Sequence, residues 1–178
     1  MDAADFDGDG KADPIIFNPA STTWQILQSG NGATAVVKNF GTTGVKLFCG
    51  DYDGDGYADL AYYVAKNYRW YVRFHDGRTT WVTLGASGVR PCPVDLDMDG
   101  ALDAGYFDPA TGKWTVRSFV TRATSTVKFG DKTTTPHPYD WNNDGMPDTL
   151  GIYSPYRAGF LDLYKNADGT TTAYTINF

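Results

Sequence analysis

The sequence predicts an all-β chain of four repeats, each a sheet of four short antiparallel strands. Three observations predict it. An aspartate-rich loop begins at Asp5, Asp51, Asp95 and Asp140, so its starts lie 46, 44 and 45 residues apart. Trp24, Trp70 and Trp114 each stand 19 residues after their loop's first Asp, opening segments in which apolar and polar residues alternate. Phe40-Gly41, Leu84-Gly85 and Phe129-Gly130 close the first three repeats. A fixed period marks a repeat architecture, and alternation marks strands with one buried face.

The elements follow in order within a repeat. A short apolar run leads into the loop, as in Val45-Lys46-Leu47-Phe48-Cys49-Gly50 and Val89-Arg90-Pro91-Cys92-Pro93-Val94. After the loop a second strand is expected at Ile15-Ile16-Phe17, Leu60 to Val64, Ala104 to Phe107 and Leu150 to Tyr153. Polar turns such as Asn18-Pro19-Ala20-Ser21 and Asp108-Pro109-Ala110-Thr111-Gly112 end it. The third strand starts at the tryptophan; the fourth repeat has Leu161 there, after a two-residue insertion. A second turn (Gly30-Asn31-Gly32, Asp76-Gly77, Asp168-Gly169) leads to the fourth strand. The first repeat has only a stub of its first strand, and the chain reads as a segment of a repeat array.

A four-stranded sheet cannot bury both faces alone, so the copies must stack. Radial stacking of such sheets makes a β-propeller. One repeat domain is expected over 1–178, with repeats near 1–41, 42–85, 86–130 and 131–178. Four blades closing into a small ring and four blades within a larger ring are both compatible with the sequence. The tryptophans, and the loop residues Phe6, Tyr52, Leu96 and Trp141, are expected to pack between blades.

The loops carry the chemistry. Counting from the first Asp, carboxylates recur at positions 1, 3, 5 and 9, and Gly at position 6 permits a sharp turn. The carbonyl at position 7 can add an oxygen whatever its side chain. The candidate metal ligands are Asp5, Asp7, Asp9, Lys11 and Asp13 in the first loop, and Asp51, Asp53, Asp55, Tyr57 and Asp59 in the second. The third supplies Asp95, Asp97, Asp99, Ala101 and Asp103, and the fourth Asp140, Asn142, Asp144, Met146 and Asp148. An all-oxygen, carboxylate-rich set suits Ca²⁺, about one ion per loop; Zn²⁺ or copper would want His or Cys. An EF-hand is excluded, because position 12 is Ile16, Tyr62, Tyr106 or Gly151 rather than Glu, and the flanks read as strands. Of the 21 acidic residues, all Asp, fifteen lie at ligand positions, and four divalent ions would turn the formal charge from −6 to +2. Without metal these carboxylates repel one another.

The D-x-D-G-D-G-x-x-D loop, the lead-in Phe40-Gly41-Thr42-Thr43-Gly44 and the Trp-bearing third strand resemble the FG-GAP or VCBS repeats of integrin-α-like propellers, closest in style to bacterial secreted members. The resemblance covers nearly the whole chain. It implies Ca²⁺ held in the loop between the first and second strands of each blade. It carries over to the aspartates above and to Asn142. Asn142 and Pro147 depart from the pattern and weaken the fourth site. Met98, where Gly is expected, stiffens the third turn.

Composition narrows the function. No apolar run approaches membrane-spanning length, so membrane insertion is not expected. Met1-Asp2-Ala3-Ala4 does not read as a signal peptide. A pI near 4.7 without a basic cluster argues against nucleic acid. His75 and His137 have no recognisable nucleophile partner, and Asp76, Asp108, Asp131, Asp162 and Asp168 mostly mark turns, so no catalytic residue is assigned. Cys49 and Cys92, in adjacent first strands, are compatible with a disulfide or with two buried thiols. The expectation is a non-enzymatic, extracellular, calcium-stabilised module for adhesion or assembly. Its partner is a protein or glycan, and self-association into a filament is open to it. A calcium-dependent lectin and an accessory domain of a secreted enzyme are the alternatives.

Overall fold

The computed structural model describes residues 4–140, 147–154, 160–165 and 171–176, the last two ranges as backbone. Among the described residues there are fifteen strands and no helix. Sheet 1 holds β1 (Ile15–Asn18), β2 (Thr23–Leu27) and β3 (Thr34–Val37). Sheet 2 holds β4 (Lys46–Leu47), β5 (Leu60–Val64), β6 (Arg69–Arg73) and β7 (Thr79–Thr83). Sheet 3 holds β8 (Arg90–Pro91), β9 (Ala104–Asp108), β10 (Lys113–Arg117) and β11 (Thr124–Lys128). Sheet 4 holds β12 (Thr135–Pro136), β13 (Leu150–Tyr153), β14 (Phe160–Lys165) and β15 (Thr171–Ile176). Each sheet is an open antiparallel meander with its strands in chain order.

The first strands are shorter than the apolar runs suggest. β4, β8 and β12 have two residues each. Pro91 and Pro136 lie within β8 and β12, where a proline cannot donate to the ladder. In sheet 1 this strand is reduced to one bridge, Ala4 with Asp13. The same bridge recurs as Gly50 with Asp59, and as reciprocal backbone bonds between Val94 and Asp103. It closes the neck of each aspartate loop.

The chain divides into two compact units, Met1–Thr83 with sheets 1 and 2, and Leu84–Phe178 with sheets 3 and 4. In the first, Trp24, Ile26, Phe6 and Phe40 form one core cluster with Ala58, Leu60 and Tyr62 of the following repeat. Rings run through it from Phe17 to Trp24 (4.7 Å), and from Phe40 across to Tyr62 (5.0 Å). In the second, Trp114, Val116, Phe107 and Leu96 pack with Leu150 and Ile152. The aromatic stripe is therefore core, as the alternation predicts. Trp24, Trp70 and Trp114 are 0% exposed, and Tyr52 is also fully buried. Trp141 lies outside the described residues. Burying a large apolar side chain contributes about 2–3 kcal/mol, provided its polar atom is satisfied. Trp24 Nε1–H donates to the Phe40 carbonyl at 2.6 Å, and Trp114 Nε1–H to that of Phe129 at 2.8 Å.

These bonds explain why a glycine follows each phenylalanine. Gly41 has φ +129°, and a Cβ there would lie 2.6 Å from the Phe17 ring. The glycine lets that ring lie against the backbone beside the tryptophan's anchor. Cys49 and Cys92 are both buried, and the structure joins neither in a disulfide. Cys92 Sγ donates to the Arg90 carbonyl.

Candidate metal centres

Each described loop is wound by its first aspartate. Asp5 Oδ1 accepts from Gly8 N–H (2.7 Å) and Asp9 N–H (3.2 Å), while Oδ2 accepts from Gly10 N–H (2.7 Å). Asp51 makes the same set with Gly54, Asp55 and Gly56 at 2.6, 3.3 and 2.8 Å. Asp95 makes it with Met98, Asp99 and Gly100 at 2.7, 3.3 and 3.0 Å. A short acidic side chain satisfying backbone N–H groups a few residues on is what makes Asp a turn former. Position 4 takes positive φ in all three loops: +76° at Gly8, +78° at Gly54 and +59° at Met98. Met98 thus holds the glycine conformation, at a cost of about 1–2 kcal/mol for a residue with a Cβ.

The aspartate at position 9 anchors the loop to the sheet. Asp13 Oδ2 accepts from Phe6 N–H (2.8 Å), and Oδ1 from Ser29 N–H (2.7 Å). Asp59 repeats this with Tyr52 N–H (2.7 Å) and His75 N–H (2.8 Å). Asp103 Oδ2 accepts from Leu96 N–H (3.4 Å), whereas its Oδ1 is buried with no hydrogen-bond partner. Position 5 closes the small turn: Asp9, Asp55 and Asp99 accept from the N–H of Lys11, Tyr57 and Ala101 at 2.9, 2.9 and 3.0 Å. For these three position-7 residues, Lys11, Tyr57 and Ala101, that N–H bond is the backbone contact the structure shows.

The carboxylates converge. One oxygen from each of Asp5, Asp7 and Asp13 lies within 4.8 Å of the others, and the same holds for Asp51, Asp53 and Asp59. In the third loop the converging trio is Asp95, Asp97 and Asp99, with Asp103 outside it. Oxygens on opposite sides of a calcium ion, each bonded at about 2.4 Å, would be about this far apart. In the fourth loop Asp140 and Asp148 are described, with Thr149 Oγ1–H on Asp148 Oδ1 at 3.0 Å. Asn142, Asp144 and Met146 lie outside the described residues.

A hard cation would take up carboxylate oxygens that the protein itself leaves without partners. Asp53 Oδ1, Asp97 Oδ1 and Asp103 Oδ1 are buried and accept no hydrogen bond. Leaving a buried carboxylate oxygen unsatisfied is costly, so these atoms want a cation. The surroundings of the carboxyl groups agree. Burial pushes the Asp59 carboxyl up to about 8, against the N–H bonds from Tyr52 and His75. Burial, then the charge of Asp97, pushes Asp103 up to about 8. Burial raises Asp95 to about 6, opposed by the Gly100 and Met98 N–H groups. Asp53 is also raised, by burial and then by the charges of Asp55 and Asp51, despite Arg78. No His or Cys enters the trios, and an all-carboxylate set of this kind fits a hard divalent cation.

The sequence places the second turn of each repeat but does not show that in the first two repeats it bonds back to the aspartate loop. Ser29 and His75 stand at the same offset from their loops and donate backbone N–H groups to Asp13 and Asp59. Gly30 N–H reaches Asp7 Oδ2 (3.0 Å) and Ser29 Oγ–H reaches Asp9 (3.1 Å). Arg78 Nη2–H donates to Asp53 Oδ2 at 2.9 Å and pairs with Asp76 through Nε. Successive loops also join: Ala58 N–H donates to the Asp5 carbonyl (2.6 Å), and Asp95 N–H to that of Pro147 (3.0 Å). Pro147 cannot donate, so the bond there runs the other way.

A search of curated proteins found no match to the chain. Residues 5–62 match the FG-GAP-like repeat. That stretch spans the first two aspartate loops and sheet 1 between them, ending within β5. Over those residues the chain is similar to an FG-GAP-like repeat, which supports to that extent the resemblance read from the loops.

Proposed function

We propose that the chain is a non-enzymatic calcium-binding repeat module of an extracellular or cell-surface protein. Its four sheets serve as blades of a β-propeller that presents surfaces for adhesion, protein contact or extracellular assembly. The observation that carries this reading is the convergence of three carboxylates in each of three loops, with buried oxygens of Asp53, Asp97 and Asp103 lacking partners. The match of residues 5–62 to an FG-GAP-like repeat supports it independently.

Calcium, when bound, supplies two positive charges and a demand for six to eight oxygens. The chain's own residues do the rest. Asp5, Asp51 and Asp95 wind the loops. Asp13 and Asp59 tie each loop neck to the turn that follows its tryptophan strand. The inter-loop bond from Ala58 to Asp5 carries the order of one loop to the next. Equilibrium dialysis tests the reading: about four ions per chain are expected, one per loop, all removed by EGTA. Asp53→Asn and Asp97→Asn should each lose one ion. A chain that retains none under millimolar calcium contradicts the proposal.

One observation favours the lectin alternative. Trp81 on β7 is 53% exposed, with the Arg69 guanidinium 4.3 Å over its ring and Tyr71 in register beside it. An exposed indole next to a cation suits a sugar ring. Calcium-dependent hits on a glycan array, lost in Trp81→Ala, would favour the lectin over protein adhesion.

A further inference from the structure

Within the unit Met1–Thr83 a cleft of ≈ 170 Å³ opens between sheets 1 and 2. Its floor is apolar, built from the buried side chains of Phe6, Ile26 and Leu60, with Phe74 beside them. Polar groups are few, as in small-molecule sites generally. Gln28, Arg73 and His75 are its polar lining residues, Gln28 just past β2, Arg73 closing β6 and His75 two residues beyond it. The Arg73 guanidinium leans along the β6–β7 turn, its Nη2 3.5 Å from where a Cβ on Gly77 would sit.

Arg73 has no carboxylate partner among the described residues, although the chain is rich in aspartate. Among the described residues the ion pairs are Lys11 with Asp9, and Arg78 with Asp53 and Asp76. The fold does not require a cation at this place. Leu27 occupies the equivalent position in the first repeat, its N–H on the Pro14 carbonyl, while the third repeat has Arg117 there, paired with Ala104 as Arg73 is with Leu60. A half-buried, unpaired guanidinium next to an apolar floor is a receptor for an anion with an apolar body. Arginine's planar fork matches a carboxylate bidentately. A cavity of about 150 Å³ is known to take a benzene-sized body, so the space suits one ring.

We propose that this cleft binds a small organic acid with a ring-sized apolar body. The ring lies on Phe6, Ile26 and Leu60, and the carboxylate takes the Arg73 fork. The proposal does not depend on the loops holding metal. Phenylacetate and its neutral isostere phenylacetamide are the probes, titrated into the intact chain in calcium buffer and followed by amide chemical shifts and calorimetry. Shifts should map to the cleft, with the acid binding about tenfold or more tighter than the amide. Arg73→Gln should erase that preference and Arg73→Lys keep part of it. Ala35→Phe, which fills the cleft from β3, should abolish binding of both probes, with circular dichroism reporting the fold. Lys66→Gln, at an exposed position in the turn between β5 and β6 and outside the cleft, should leave the preference intact. Equal binding of acid and amide to the native chain, or no shifts at cleft residues, would overturn the proposal. So would an acid preference that survives Arg73→Gln.

Discussion

At the scale of single residues, the loops hold carboxylates away from water. The folded chain holds Asp59 and Asp103 near pKa 8 and Asp95 near 6, whereas an unfolded Asp titrates near 3.9. Between these values the folded state binds protons that the unfolded state has lost, so metal-free stability falls as pH rises. In EGTA the melting temperature should therefore drop from pH 5 toward pH 8. In calcium the slope should reverse, because deprotonated ligands are the ones a cation selects. Melting curves at both pH values, with and without calcium, check the sign. Met98 gives a second prediction. It occupies the φ region of Gly8 and Gly54, so Met98→Gly should stabilise the chain by about 1 kcal/mol, read as a rise in urea midpoint at constant slope. A fall in midpoint would contradict the strain.

At the scale of elements, loops and turns form one device. The Tyr57 ring lies over Gly8, where a Cβ would come within 2.6 Å of it, and stacks on His75 at 4.3 Å. His75 N–H in turn holds Asp59. Gly8→Ala should therefore cost more than the 1–2 kcal/mol of a left-handed backbone alone. Adding Tyr57→Ala should recover the excess, a coupling of at least about 1 kcal/mol in a double-mutant cycle. Additive effects would show that the two loops do not touch. Much of this level is legible in the sequence. Trp24, Trp70 and Trp114 fix the third strand, and alternation around them fixes its buried face. What is not legible works through the backbone. Ser29 and His75 share a role and no chemistry, since each acts through its N–H, and any residue but proline supplies one. The shortness of β8 and β12 is visible in Pro91 and Pro136, but that of β4 is not, since Lys46-Leu47 reads as part of a longer apolar run. Nor does spacing reveal that the third loop gathers positions 1, 3 and 5 while the first two gather 1, 3 and 9.

At the scale of the whole molecule the question is what offsets the crowding of fifteen aspartates in four loops. Tryptophan-centred clusters stabilise each unit, but they do nothing for charge. A calcium ion bound as proposed, with a Kd of about 10⁻⁴ M and ambient calcium about tenfold higher, would add about 1.4 kcal/mol per site. Four such sites would contribute about 5–6 kcal/mol, comparable with the lower end of domain stability. The most direct measurement is scanning calorimetry of one preparation, first in millimolar calcium and then after EGTA. A melting temperature at least about 10 °C higher with calcium is expected, restored when calcium is added back. An unchanged melting temperature would contradict the proposal.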